Sequence, residues 1–212
     1  MIKAFVRLFP IFSLIMAAAS ILGMATILIV GLPSFQLYQI DPEPGLAAPT
    51  IQQARGREVY VSLGCVYCHS QQPRDASVGP DEARGWGRPS TPGDYVYDYP
   101  HQLGTMRTGP DLFNIGARQP SAQWHLVHLY NPRAVVEWSI MPGYPFLFEV
   151  KDAPEPGDLV VDVSGPYAPA HGVVVAKPDA IALTNYLIGL DHTYPSAYLP
   201  RPEETDDVNG DQ

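Results

Sequence analysis

Cysteine is nearly missing from this chain. Only Cys65 and Cys68 occur in 212 residues, which excludes a disulfide-rich scaffold and a four-cysteine zinc site. An excess of positive charge is missing too: 13 Lys and Arg stand against 22 Asp and Glu. The resulting net charge of −9 argues against nucleic acid as a partner. Charged residues of either sign reach only 17%, while Pro (23) and Gly (18) are plentiful, so a loop-rich fold is expected rather than a bundle of long helices. The low hydrophobicity of a disordered chain is not found either, since 46% of residues are hydrophobic. The length suits one domain of ordinary size with an appendage.

The first 40 residues contain no acid, and from Leu8 to Leu32 there is no charge at all. As a helix this run spans roughly 37 Å at 1.5 Å per residue, against a bilayer core of about 30 Å. Pro10 is expected in its first turn, where a missing N–H costs little. Lys3 and Arg7 precede the run; Asp41 and Glu43 follow it. The positive-inside rule then predicts a cytoplasmic N-terminus, with the rest of the chain outside. A cleaved signal peptide would carry an apolar core of about 7–15 residues and a small-x-small site close behind. Here the core is longer, and Pro33-Ser34-Phe35 follows it. The expected organisation is an uncleaved transmembrane anchor over residues 1–34 and an extended Pro-rich linker over 35–49. One domain over 50–195 follows, then an acidic, solvated tail over 196–212 holding Glu203, Glu204, Asp206, Asp207 and Asp211.

The strongest motif is Cys65-Val66-Tyr67-Cys68-His69, the C-x-x-C-H pattern of covalent haem attachment. Two thiols three residues apart on a helical turn reach both vinyl groups on one side of a porphyrin. The adjacent His then swings beneath the ring and ligates the iron. A thioredoxin-like pair would need a strand before it and a helix after it, and a zinc half-site would need a second ligand pair. Thr50-Ile51-Gln52-Gln53 reads as a capping box opening a helix that runs to about Gly64. Gly56 and Tyr60 resemble the Gly–aromatic pair of cytochrome c first helices, where a close crossing needs a missing side chain. The partner is expected to be a last helix over 179–189, with Tyr186 and Leu187 facing it.

A sixth iron ligand is expected from Met or His. Two methionines follow the motif, Met106 and Met141. Met141 precedes Pro142 in a Pro/Gly-rich loop, a setting that gives a thioether little other reason to exist, and Met106 is the second candidate. His125 and His128 share one helical face at i, i+3. They read as polar packing or a propionate contact in preference to a second metal site, because no third ligand lies near in sequence. Leu159 to Val163 and Val173 to Val175 alternate as a small β-hairpin inserted before the last helix.

Several runs appear in order: Gly56-Arg57-Glu58-Val59-Tyr60, Cys65…His69-Ser70-Gln71, Tyr97-Asp98-Tyr99-Pro100, Arg107-Thr108-Gly109-Pro110-Asp111-Leu112, His128-Leu129-Tyr130-Asn131-Pro132-Arg133 and Met141-Pro142-Gly143-Tyr144-Pro145. Together they resemble the membrane-anchored mono-haem cytochrome c subunit (subunit II, CcoO/FixO type) of cbb3-type haem–copper oxidases. The resemblance implies a mainly α fold: one N-terminal transmembrane helix and a loop-rich cytochrome c-like domain with the hairpin insert. It implies one covalent, low-spin haem c attached to Cys65 and Cys68 and ligated by His69 and Met141. The Pro110 carbonyl would accept a hydrogen bond from His69, and Arg107 would neutralise a haem propionate. The chain would be non-catalytic, receiving electrons from a further cytochrome c subunit or a soluble cytochrome. It would pass them to a polytopic catalytic subunit that reduces oxygen. It would sit in the cell inner membrane as a single-pass protein with a periplasmic haem domain. The readings left beside this one are a subunit of a related nitric oxide reductase, a free membrane-tethered electron shuttle, and a haem-based gas sensor.

Overall fold

The computed structural model describes residues 2–199, so the acidic cluster from Glu203 to Asp211 lies outside the described residues. The chain divides into two compact units, one ending at Asp41 and one beginning at Pro42. The first is a helical rod. Helix α1 (Ile2–Thr26) passes through one π turn (Ile27–Gly31) into α2 (Leu32–Tyr38). Two expectations need correction here. Pro10 lies inside α1 and not in its first turn. The helix also continues past residue 34, because the wide turn closed by Leu32 N–H on the Ile27 carbonyl opens the coil just ahead of Pro33. In an unbroken α-helix the Pro33 ring and its absent N–H would disrupt the preceding turn. Residues Pro10–Tyr38 have a mean hydropathy of 2.3 and form the one helix among the described residues long and apolar enough to cross a membrane. The hydroxyls of Ser20 and Thr26 donate to carbonyls four residues back, at 2.8 Å each, so the rod satisfies its own polar groups.

The second unit is built on two crossing helices. Helix α3 (Ile51–Ser62) starts at the Thr50 capping box, in which Gln53 N–H donates to Thr50 Oγ1 and Thr50 N–H to Gln53 Oε1. Two short helices follow, α4 (Ile115–Arg118) and α5 (Ala122–Tyr130), the latter capped by Ser121. The last helix, α6 (Pro178–Gly189), packs on α3. A Cβ on Gly56 would lie 1.9 Å from the Ala182 carbonyl oxygen, so the crossing is possible only without a side chain there. Tyr60 and Tyr186 meet at the same crossing with ring centroids 5.4 Å apart. Leu126 and Leu183, both buried, complete this core with Val59, Leu129 and Leu187.

The insert before α6 holds three strands, β1 (Phe148–Lys151), β2 (Val160–Val161) and β3 (Val173–Ala176), in the order β1-β3-β2. Both pairings are antiparallel; Val175 faces Glu149 on one side and Val160 on the other. The expected β2–β3 pair is therefore present, with β1 added on the far side of β3. The stretch expected to be a free linker is fastened early. Glu43, 1% exposed, accepts from the Thr91 hydroxyl (2.7 Å), from Ala197 N–H (2.7 Å) and from the Ser196 hydroxyl. Its own N–H donates to the Gly93 carbonyl. The start of the expected tail, Ser196 and Ala197, is thus bound to the start of the domain.

Candidate functional site

Helix α3 gives way to the cysteine motif at Gly64, whose φ of +71° reverses the chain in a conformation that disfavours other residues. A 3-10 turn, Cys65–Tyr67, follows, and the N–H groups of Cys68 and His69 both close on the Cys65 carbonyl. Both thiols are free; Cys65 is half-buried and Cys68 exposed. Burial pushes the Cys65 thiol up to about 11. His69 Nδ1 lies 2.7 Å from the Pro110 carbonyl oxygen. A carbonyl can only accept, so Nδ1 carries the proton and Nε2 is left with its lone pair. Burial also lowers the pKa of His69, which favours the neutral imidazole a metal requires.

The segment after Leu103 is laced onto the motif. Gln71 N–H donates to the Leu103 carbonyl, Gly109 N–H to Cys68, and Leu112 N–H to Ser70. Asp111 has no exposed surface. Its Oδ2 accepts from the Ser70 hydroxyl (2.6 Å) and Gln72 N–H (2.8 Å), and its Oδ1 accepts from Phe113 N–H (2.8 Å). Gly109 presses directly on the imidazole, where an added Cβ would be 2.3 Å from His69 Cε1. Arg107 donates to Ser70 Oγ (2.9 Å), the Gln72 carbonyl (2.8 Å) and Asp81 (2.7 Å), and its guanidinium lies over Trp86, so it braces the residues that follow His69.

Met141 lies beyond α5. Asn131 caps a 3-10 turn (Pro132–Ala134) that leaves the helix, and Tyr144 N–H returns to the Leu129 carbonyl at 2.8 Å. Met141 is half-buried against the apolar core, as are Leu63, Cys65 and Val66. Met106 is 56% exposed and belongs to the segment laced beside His69. On α5, the buried His125 uses Nε2–H on the Gln119 carbonyl at 2.8 Å. His128 stacks on Trp124, and burial pushes its pKa down to about 4. No three His, Cys, Asp or Glu side chains among the described residues are grouped to hold a metal ion.

Two residues were not singled out for the roles their surroundings suggest. Arg118 donates through one terminal nitrogen to the Asp111 carbonyl, but its Nε is buried without a partner. His128 Nδ1 is also buried without one. Sequence gives no signal for Arg118, and for His128 only its i, i+3 spacing from His125. A haem fits this donor set: two thiols on one turn, an imidazole with Nε2 free, a glycine giving the ring room, and unpaired donors suited to an acceptor that is not protein. Around the Met141 loop, residues 134–148 carry a single charge, Glu137, and Trp138 (84%) and Ile140 (75%) are exposed.

A family model described as "Cytochrome C oxidase, mono-heme subunit/FixO" matches residues 5–158. The match takes in the helical rod, the cysteine motif, the laced segment and the Met141 loop, and ends before β2. No curated protein sequence matches the chain.

Proposed function

The chain belongs to the mono-heme, FixO family of cytochrome c oxidase subunits, and from that premise we propose that it carries electrons through one covalently held haem c to the catalytic subunit of a respiratory haem–copper oxidase. When bound, the haem supplies an iron that alternates between ferric and ferrous states and so holds one electron at a time.

The chain's residues bind and orient that group. Cys65 and Cys68 would hold the haem covalently at the end of α3. His69 gives Nε2 to the iron, and the Pro110 carbonyl holds the opposite nitrogen protonated, so the ring cannot change tautomer or rotate. Met141 gives the sixth ligand from a loop anchored on α5. Arg118 takes the role expected of Arg107, with its unpaired Nε donating to a propionate. Held by His69 and Met141, the haem would exchange electrons, and oxygen would be reduced elsewhere in the complex. The charge-poor face at Trp138 and Ile140 meets the polytopic partner. The donor is a further cytochrome c subunit or a soluble cytochrome. The helix up to Tyr38 anchors the chain in the inner membrane with Lys3 and Arg7 on the cytoplasmic side and the haem domain in the periplasm.

The observation that carries this reading is the His69–Pro110 bond within the C-x-x-C-H turn, which leaves Nε2 free for the iron. The test uses the intact membrane complex. Haem-stained gels should show a band at 23.2 kDa that the double change Cys65→Ala, Cys68→Ala abolishes. Rapid mixing with a reduced cytochrome should show this haem reduced before the catalytic subunit. An unstained band refutes the haem; reduction after the catalytic subunit refutes the direction of flow.

A further inference from the structure

His128 sits two residues before the end of α5 with its Nδ1 buried and unbonded. Its pose is fixed by stacking: Trp124, one turn earlier, lies flat against it with centroids 4.7 Å apart and planes 8° from parallel. The rest of that face is satisfied, since Trp124 meets His125 edge-on and His125 is bonded to Gln119. A buried polar atom without a partner is costly, and a Phe would fill the same space without that cost. A partner that arrives with the haem would account for it. The Met141 loop is mounted on the same end of the helix. Tyr144 N–H bonds to the carbonyl of Leu129, the residue next to His128, and Asn131 caps the turn into the loop. His128 also interacts electrostatically with His69, the residue expected on the opposite face of the ring.

We propose that His128 is a positioning residue for the sixth ligand, its Nδ1–H donating to the Met141 thioether sulfur once the haem is in place. The inference rests on the reading that Met141 ligates the iron. A thioether is a weak acceptor, and a hydrogen bond to it draws electron density from the sulfur. Ferric iron needs that density more than ferrous iron does. The bond therefore favours the ferrous state and raises the reduction potential, as outer partners of metal ligands do.

The test compares wild type, His128→Phe and His128→Gln in the full-length, haem-loaded protein. His128→Phe keeps the stack on Trp124 and removes the donor. It should retain covalent haem, lower the reduction potential and shift the near-infrared charge-transfer band of Met–iron ligation. His128→Gln should recover part of both changes. Should His128→Phe fail to mature, the donor-free His128→Leu set against His128→Gln makes the same comparison. An unmoved potential and band in the donor-free variant overturns the inference, as do equal shifts in the donor-free variant and His128→Gln, which would mean packing alone. A shift that survives in a Met141→Leu background also overturns it, because the acceptor would then be a propionate. Met141→Leu alone separates the two claims. If it leaves the band untouched, the ligand reading fails; if it removes the band while His128→Phe changes nothing, only the role of His128 fails.

Discussion

Gly109→Ala tests how the protein aims its histidine. The added Cβ would sit 2.3 Å from His69 Cε1 and 2.8 Å from both ring nitrogens. Carbon contacts settle near 3.5 Å, so the imidazole must retreat by about 1.2 Å. Gly109 cannot yield instead, because its N–H is bonded to the Cys68 carbonyl and Leu112 and Asp111 lock the segment on both sides of Ser70. A retreat of that size stretches the 2.7 Å bond to Pro110 toward the limit of a hydrogen bond. The direct loss is about 1 kcal/mol of net hydrogen-bond energy. The larger effect is on ligation, where losing the outer partner of a metal-bound His costs about 10–100-fold in metal affinity or activity. Both cysteines remain, so a haem-stained band should persist. The reduced protein should gain a carbon monoxide difference spectrum, and its potential should move. Gly79→Ala is the control, since its new Cβ would meet nothing closer than Asp81 Oδ1 at 3.5 Å. A Gly109→Ala protein with the wild-type spectrum, potential and indifference to carbon monoxide would refute the placement of His69 against this segment.

Met141→Leu should keep covalent haem, lose the near-infrared band, lower the potential and open a carbon monoxide site, while Met106→Leu should leave all of these unchanged. The opposite pattern would transfer the ligand to Met106. Burial alone would raise the pKa of Glu43, but hydrogen bonds from Ser196, Ala197 and Thr91 outweigh it and hold the carboxyl below its ordinary value. Its stabilisation is complete above the unfolded pKa of about 4.3 and is lost as pH falls through the lowered folded value. Glu43→Gln should thus cost about 1.5–3 kcal/mol near neutral pH, several degrees in thermal unfolding, and less in acid. An equal loss at all pH values would count against the carboxylate. Trp138→Ser should slow electron delivery within the assembled complex without moving the potential, and an unchanged rate would remove this face from the partner contact.

Local signals were legible where the chemistry is local. The Thr50 capping box follows from a few neighbouring residues with one physical solution, whereas the Gly56 crossing and the Pro110 carbonyl beside His69, with partners 126 and 41 residues away, were read from the resemblance to cytochromes c. Arg107 was not legible, since the decisive partner, Asp81, lies 26 residues away and no spacing rule ties the two. The Glu43 contacts with Ser196 and Ala197 span more than 150 residues and have no motif at all. Strand β1 was missed because Phe148-Glu149-Val150-Lys151 is only four residues long and follows a Pro/Gly-rich loop; β3 makes it a strand by pairing. The helix beyond Pro33 depends on a π turn, which propensity does not announce. Arg118 looks ordinary in sequence, and His128 is marked there only by its spacing from His125; burial then leaves a nitrogen of each without a partner.

The length of chain between the helix and the haem unit separates a fixed subunit from a shuttle. A spacer over residues 35–49 would give a tether of 15 residues. Instead the helix runs to Tyr38, and Glu43 is already fastened to Gly93. Four residues, Gln39 to Pro42, lie between, and fully extended they reach at most about 14 Å. A shuttle that visits separate donors and acceptors needs a longer reach than that, whereas a subunit held at one electron-transfer distance gains from a short junction. Inserting ten Gly/Ser residues after Ile40 adds a flexible span of roughly 17 Å. In a fixed subunit this lowers the effective concentration of haem domain at its acceptor and should slow turnover of the complex, with the haem spectrum and potential unchanged. A shuttle would keep its rate or gain from the longer arm. Unchanged or faster turnover in the insertion variant would therefore refute the fixed-subunit reading while leaving the haem assignment intact.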